Sequence, residues 1–172
     1  DLNTALWNGV AAFTVHGEHD GTTENAASMN FDFVFETHPS NPGAGWLMWG
    51  TDPAGGGNND GIVRYRRWNG AAWNPAPPAV GTTLAGTDDT SFSRLLAHPA
   101  SGVVLAGIYE NSTSAGATQD DIFDTHLTLG GTVWSALAMI WDGGTIADPV
   151  HQRVDIAAER YKPILAWREV FP

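Results

Sequence analysis

A motif that returns at a fixed interval does most to limit what this chain can fold into. The segments Trp7-Asn8-Gly9, Trp68-Asn69-Gly70 and Leu129-Gly130-Gly131 bring their last glycines back every 61 residues, and Trp73 and Trp134 keep the same interval. Phe13 stands one residue from the matching place in the first copy. Two further blocks follow each turn in constant order. The first is Phe31-Asp32-Phe33-Val34-Phe35-Glu36, then Arg94-Leu95-Leu96-Ala97-His98-Pro99, then Val154-Asp155-Ile156-Ala157-Ala158-Glu159. The second is Trp46-Leu47-Met48-Trp49, then Val103-Val104-Leu105-Ala106-Gly107, then Pro163-Ile164-Leu165-Ala166-Trp167. Asp32 and Glu36 match Asp155 and Glu159, and Trp49 matches Trp167, so the first and third copies agree better with each other than with the second. A tandem unit of this length buries its apolar face only against neighbouring units.

Within a copy, apolar and polar residues alternate over short stretches bounded by Gly, Asn, Pro and Ser, as in Ile62-Val63-Arg64-Tyr65-Arg66-Arg67-Trp68. Such alternation reads as strand. No window keeps an apolar 3.6-residue period between caps for three turns, and the best helical stretch, Ala136 to Trp141, is short. Four strands fit a copy. Around the second they are expected at Ile62 to Trp68, Ala71 to Ala76, Phe92 to Ala97 and Val103 to Tyr109. The expected fold is therefore all-β and β-propeller-like: three four-stranded antiparallel blades in one domain spanning residues 1–172, with copies at 1–61, 62–121 and 122–172. Trp49, Trp68, Trp73 and Trp134 are then expected to wedge between blades, each removing a large apolar area from water. Closed propellers use about 4 to 8 blades. Three blades leave completion to a second chain, giving a six-bladed ring, or to a longer array. Leu2 to Trp7 carries the motif that elsewhere follows the third block, so it is expected to finish a blade begun by Ile164 to Trp167, of another chain or of its own.

Composition narrows the partners. A formal charge of -11 repels phosphate backbones and anionic lipid, which disfavours nucleic acid and anionic membranes as ligands. The absence of cysteine removes disulfides, thiolate metal sites and cysteine nucleophiles. No apolar run approaches the 18 or so residues of a spanning helix. The chain opens at Asp1 with neither an initiator Met nor a signal-peptide pattern, and reads as a processed product or an excerpt.

Four potential ligands, His16, Glu18, His19 and Asp20, fall within five residues and include a His-x-x-His spacing that can chelate a transition metal. Asp52, Asn58, Asn59 and Asp60 flank a triple glycine and offer oxygen ligands suited to calcium, with Asp120 and Asp121 in the matching loop of the next copy. Both clusters read more simply as solvated loops, so no cofactor is expected, calcium being the one candidate. No Gly-x-Ser-x-Gly elbow gathers a serine, histidine and aspartate. Asp32 with Glu36, and Asp155 with Glu159, lie four apart on strands, about 13 to 14 Å. A glycosidase pair needs about 5 to 9.5 Å, so these carboxylates are expected to cap or face solvent. His38-Pro39 and His98-Pro99 fit a recurring turn better than a catalytic pair.

The blocks Phe31 to Glu36, Trp46 to Gly50 and Val63 to Trp73 resemble the tandem repeats of large secreted bacterial proteins of β-propeller type, over most of the chain. The resemblance implies an extracellular or cell-surface protein, without catalytic residues to carry over. The aromatic-glycine turn is also similar to that of the Asp-box propellers of sialidases. Here Trp68 stands in place of the aspartate and Arg66 in place of Ser or Thr, so that enzyme activity is disfavoured. A third similarity is to the six-bladed fucose-binding lectins, which hold sugar between blades through arginine, glutamate and tryptophan. It implies Arg64, Trp68 and Trp73 as ligand-binding residues. The third copy offers Asp124 or Thr125 and Leu129 instead. The expected function is a non-enzymatic, secreted or surface-exposed structural or adhesive module that associates with itself, with other surface or filament subunits, or with glycans. The alternative is a carbohydrate-binding lectin, and a sialidase-like hydrolase ranks third.

Overall fold

Alternating segments of this kind become strands, and the computed structural model has eleven of them among the residues it describes. It describes residues 2–7, 9–20, 31–51, 62–74, 88–112, 118–146, 154–158 and 163–167, among which there is no helix. β1 (Leu2–Trp7) and β2 (Phe13–Asp20) form a hairpin. β3 (Phe31–Phe35), β4 (Gly45–Thr51) and β5 (Ile62–Trp68) form a middle sheet. β6 (Asp88–Ala97), β7 (Val104–Ser112), β8 (Thr118–Leu127) and β9 (Ala138–Ile146) form a four-stranded sheet, and β10 (Val154–Ala158) with β11 (Pro163–Trp167) a second hairpin. Every pairing is antiparallel and joins strands consecutive in the chain.

The all-β, antiparallel character expected from the pattern is present, but the strands group differently. Ile62–Trp68 closes the sheet that begins at Phe31, and Phe92 to Ala97 belongs to the next one. The expected strand at Ala71 to Ala76 is represented among the described residues by a single bridge, Trp68 to Trp73. The turn glycines explain the phase. Gly9, Gly70 and Gly130 have φ of 84°, 97° and 71°, a region open to glycine at little cost, and they follow β1, β5 and β8. In the two larger sheets the recurring motif therefore follows the third strand instead of opening the sheet. Ala138 to Trp141, in the best helical stretch, lie in β9.

The middle sheet is covered on both faces because both parities of β4 are apolar. Trp46 and Met48 point one way, with Val63, Tyr65 and Val34, and pack against Leu95, Ala97, Val104, Ala106, Ile108, Leu127 and Trp134 of the four-stranded sheet and its closing turn. Leu47 and Trp49 point the other way, against Leu2 of β1, with Phe33 and Trp73 alongside. The first hairpin and the four-stranded sheet thus lie on opposite faces of the middle sheet. β10 rests against β6 and β7.

Polar side chains hold the inner seam in place. Asp32 accepts a hydrogen bond from the Leu95 amide at 2.8 Å and faces the Arg94 guanidinium at 3.8 Å, tying β3 to β6. Glu36 is buried, accepting from the Trp46 indole N–H at 2.7 Å and from the Asn41 amide at 2.5 Å, with Arg67 Nε 3.9 Å away. Both carboxylates were expected to cap or face solvent. They serve between and within sheets instead, since a carboxylate beside a seam finds N–H donors there that offset its desolvation.

Candidate binding cleft

Where the first hairpin leans on the middle sheet, the two do not close completely. A cleft of about 510 Å³ remains between them, with six aromatic side chains in its lining: Trp7 and Phe13 from the hairpin, Phe33 and Phe35 from β3, Trp68 from the end of β5 and Trp73 from beyond the turn that follows it. Strand alternation puts the phenylalanines there, because Phe31, Phe33 and Phe35 share one face of β3 while Asp32 and Val34 take the other. Gly45, opposite Phe35, makes room: a Cβ on it would lie 2.7 Å from the Phe33 ring. The rings meet mainly edge to face, Phe33 with Phe35 at 4.7 Å and with Trp73 at 5.9 Å, and Trp68 with Trp73 at 5.5 Å. Trp7 and Phe13 are tilted at 5.1 Å and remain 46% and 66% exposed, so the hairpin's side of the cleft is wet.

Beside the cleft a polar chain couples hairpin to sheet. Arg66 Nη1 donates to His19 Nδ1 at 2.9 Å, and His19 Nε2 lies 2.7 Å from Thr4 Oγ1. Because arginine only donates, Nδ1 must accept, so the ring is neutral and carries its proton on Nε2, directed at Thr4. His19 is buried with its ring 4.8 Å from Trp73. Arg66 also donates through Nε to the Asn74 carbonyl at 3.0 Å and through Nη2 to the same oxygen. Partial burial lowers the Arg66 pKa from its ordinary value, yet a guanidinium stays charged across the physiological range.

Asn74 belongs to a turn that is built twice. Its side-chain oxygen accepts from the Arg67 amide at 2.7 Å, and its amide donates to the Arg67 carbonyl at 2.9 Å. In the four-stranded sheet Ser135 does the same with His126: Oγ accepts from the amide at 3.0 Å and the Ser135 amide donates to the carbonyl at 2.9 Å. Thr125 Oγ1 donates to the Ser135 carbonyl at 2.7 Å, as Arg66 does to that of Asn74.

The residues singled out from the sequence separate here. Trp68 and Trp73 come together in the cleft lining. Arg64, four residues before Trp68 on β5, is not among the described lining residues, and the arginine that approaches the cleft wall is Arg66. His16, Glu18, His19 and Asp20 lie in β2, not in a loop, and His19 is used between Thr4 and Arg66. Asp120 and Asp121 lie in β8, paired with β7, and not in a loop; Asp52, Asn58, Asn59 and Asp60 fall outside the described residues. Among the described residues no group of three or more His, Asp or Glu is placed to hold a metal. His38 and His98 sit in turns, accepting through Nδ1 from the amides of Ser40 and Ser101 at 3.2 and 3.1 Å. Sequence reasoning missed Phe13, Phe33 and Phe35 as cleft residues, although three phenylalanines alternating on β3 signal an aromatic face.

No family model, no curated protein and no solved structure matches the chain.

Proposed function

We propose that the chain is a non-catalytic, β-propeller-type module with a structural or adhesive role in a secreted or cell-surface protein, and that the aromatic cleft is the surface with which it grips an apolar protein partner. The single observation that carries the reading is the lining of the cleft. Six aromatic rings stand around about 510 Å³ with no carboxylate among the described lining residues. Large aromatic side chains bury much area while losing few rotamers, and they dominate the energetics of protein contacts. A contiguous apolar patch left open on a soluble chain is itself a mark of an interaction site. The stacking of separate sheets and the twice-built turn at Asn74 and Ser135 support the propeller-type part of the reading. The occupation of both His19 ring nitrogens speaks against a general base at this place.

A lectin is the second reading, favoured by the Trp68–Trp73 pair in the cleft. Against it, sugar hydroxyls need polar partners, and apart from the indole N–H groups the described lining offers only the Thr4 hydroxyl.

Parallel peptide and glycan arrays, read with millimolar calcium, separate the two. Saturable binding to peptides rich in aromatic and aliphatic side chains, lost in Trp73→Ala, supports the adhesive reading. Sugar-specific binding abolished by Trp68→Ala moves the function to a lectin, and silence on both arrays overturns the cleft as a binding surface.

A further inference from the structure

Each of the two outer hairpins forms a two-stranded sheet, and the larger sheets give the register against which both can be compared. β4 opens at Gly45, opposite Phe35 on one side and Trp68 on the other. β7 opens at Val104, opposite Ala97 and Leu127. β11 opens at Pro163, opposite Ala158, and among the described residues no strand pairs with its other edge. On that pattern β10 and β11 are first and second strands. β1 is a third strand: it ends at Trp7, which pairs with Phe13 as Trp68 pairs with Trp73, and the left-handed Gly9 follows it as Gly70 follows β5. Among the described residues β1 too has one edge without a strand.

We infer that β1 of a second copy of this chain pairs antiparallel with β11, placing Trp7 opposite Pro163, Ala5 opposite Leu165 and Asn3 opposite Trp167. The union β10-β11-β1-β2 has the order and register of β6 to β9. A second copy is taken as the occupant because the described sheets, closed on themselves, would make a ring of three, short of the about four to eight that close. Two copies, each giving and receiving a hairpin, make six sheets related by a twofold axis. The pairing also covers two edges that would otherwise template aggregation. The inference rests on the propeller-type reading of the sheets and is independent of what the cleft binds.

The chain has no cysteine, so introduced thiols report cleanly. The full chain in solution is expected at twice its 18.3 kDa. Ala5→Cys combined with Leu165→Cys is expected to form a covalent dimer on mild oxidation, because directly opposed residues meet disulfide geometry. Ala5→Cys combined with Ile164→Cys, one residue out of register and on the other face, is expected to stay uncrosslinked. A monomeric mass, a disulfide within one chain, or equal crosslinking of both variants overturns the inference. A monomer that still binds its peptides on the array sinks this pairing alone and leaves the proposed function standing.

Discussion

Trp46 and Trp134 meet edge to face across the seam between the middle and four-stranded sheets, with ring centroids 5.7 Å apart and planes at 86°. Both are buried, but their N–H groups differ: that of Trp46 is bound by buried Glu36, and that of Trp134 has no hydrogen-bond partner among the described residues. Replacing each by Phe therefore separates packing from hydrogen bonding. Trp46→Phe leaves a buried carboxylate short of a donor and is expected to cost about 2–4 kcal/mol. Trp134→Phe removes an orphaned donor along with some area, and is expected to cost about 1–2 kcal/mol. Urea denaturation of the two variants checks the order, and equal losses would contradict the Glu36 assignment.

The twice-built turn yields a second expectation. Asn74→Ala and Ser135→Ala each strip a side-chain acceptor from a strand-end amide and are expected to cost about 1 kcal/mol apiece. The turns belong to different sheets, so the double variant should lose the sum within about 0.5 kcal/mol. A double variant no less stable than either single would mean that the two turns do not act separately.

Gly45 tests the cleft wall. Gly45→Ala drives a methyl into the Phe33 ring, and displacing that ring is expected to cost about 1–3 kcal/mol. Phe33→Ala in the same chain clears the space, so the added cost of the alanine at position 45 should shrink to within a few tenths of a kcal/mol. A cost independent of residue 33, measured by a double-mutant cycle in urea, would place Phe33 elsewhere.

Tyr65 supplies a pH dependence. Burial raises its phenol above the ordinary 10.0. As pH climbs past 10 the unfolded chain gives up this proton before the folded one does, so unfolding becomes easier from there up to the folded pKa. Below 10 the contribution is fully present. Between about pH 9 and about pH 11 the urea midpoint of the parent chain is expected to fall further than that of Tyr65→Phe, and equal falls would exclude Tyr65 as the source.

Strand-forming stretches were legible because period-two alternation is a local property, and Ile62 to Trp68 was placed to the residue. What alternation does not encode is which sheet a strand joins. β5 was therefore grouped forward with Phe92 to Ala97, when its hydrogen bonds run back to β4. Trp134 was read correctly as a seam residue from size and spacing. Glu36 was not, since its partners Trp46 and Asn41 become neighbours only once the turn to β4 closes. His19 looked like a chelating residue because ligand types cluster near it in sequence. The residues that use it, Thr4 and Arg66, lie 15 and 47 positions away. Of the cleft, Trp68 and Trp73 were visible as an aromatic-glycine turn, whereas the hairpin's contribution depended on how β1 and β2 pack on the middle sheet.

The most direct test of the stacked-sheet account is a set of proton nuclear Overhauser contacts from adjacent residues of β4. Trp46 is expected to contact Trp134 and Tyr65, while Leu47 and Trp49 contact Leu2, placing different sheets on the two faces of one strand. Finding Trp46 and Leu47 packed against the same one of the two flanking sheets, or either of them exposed to solvent, would contradict it.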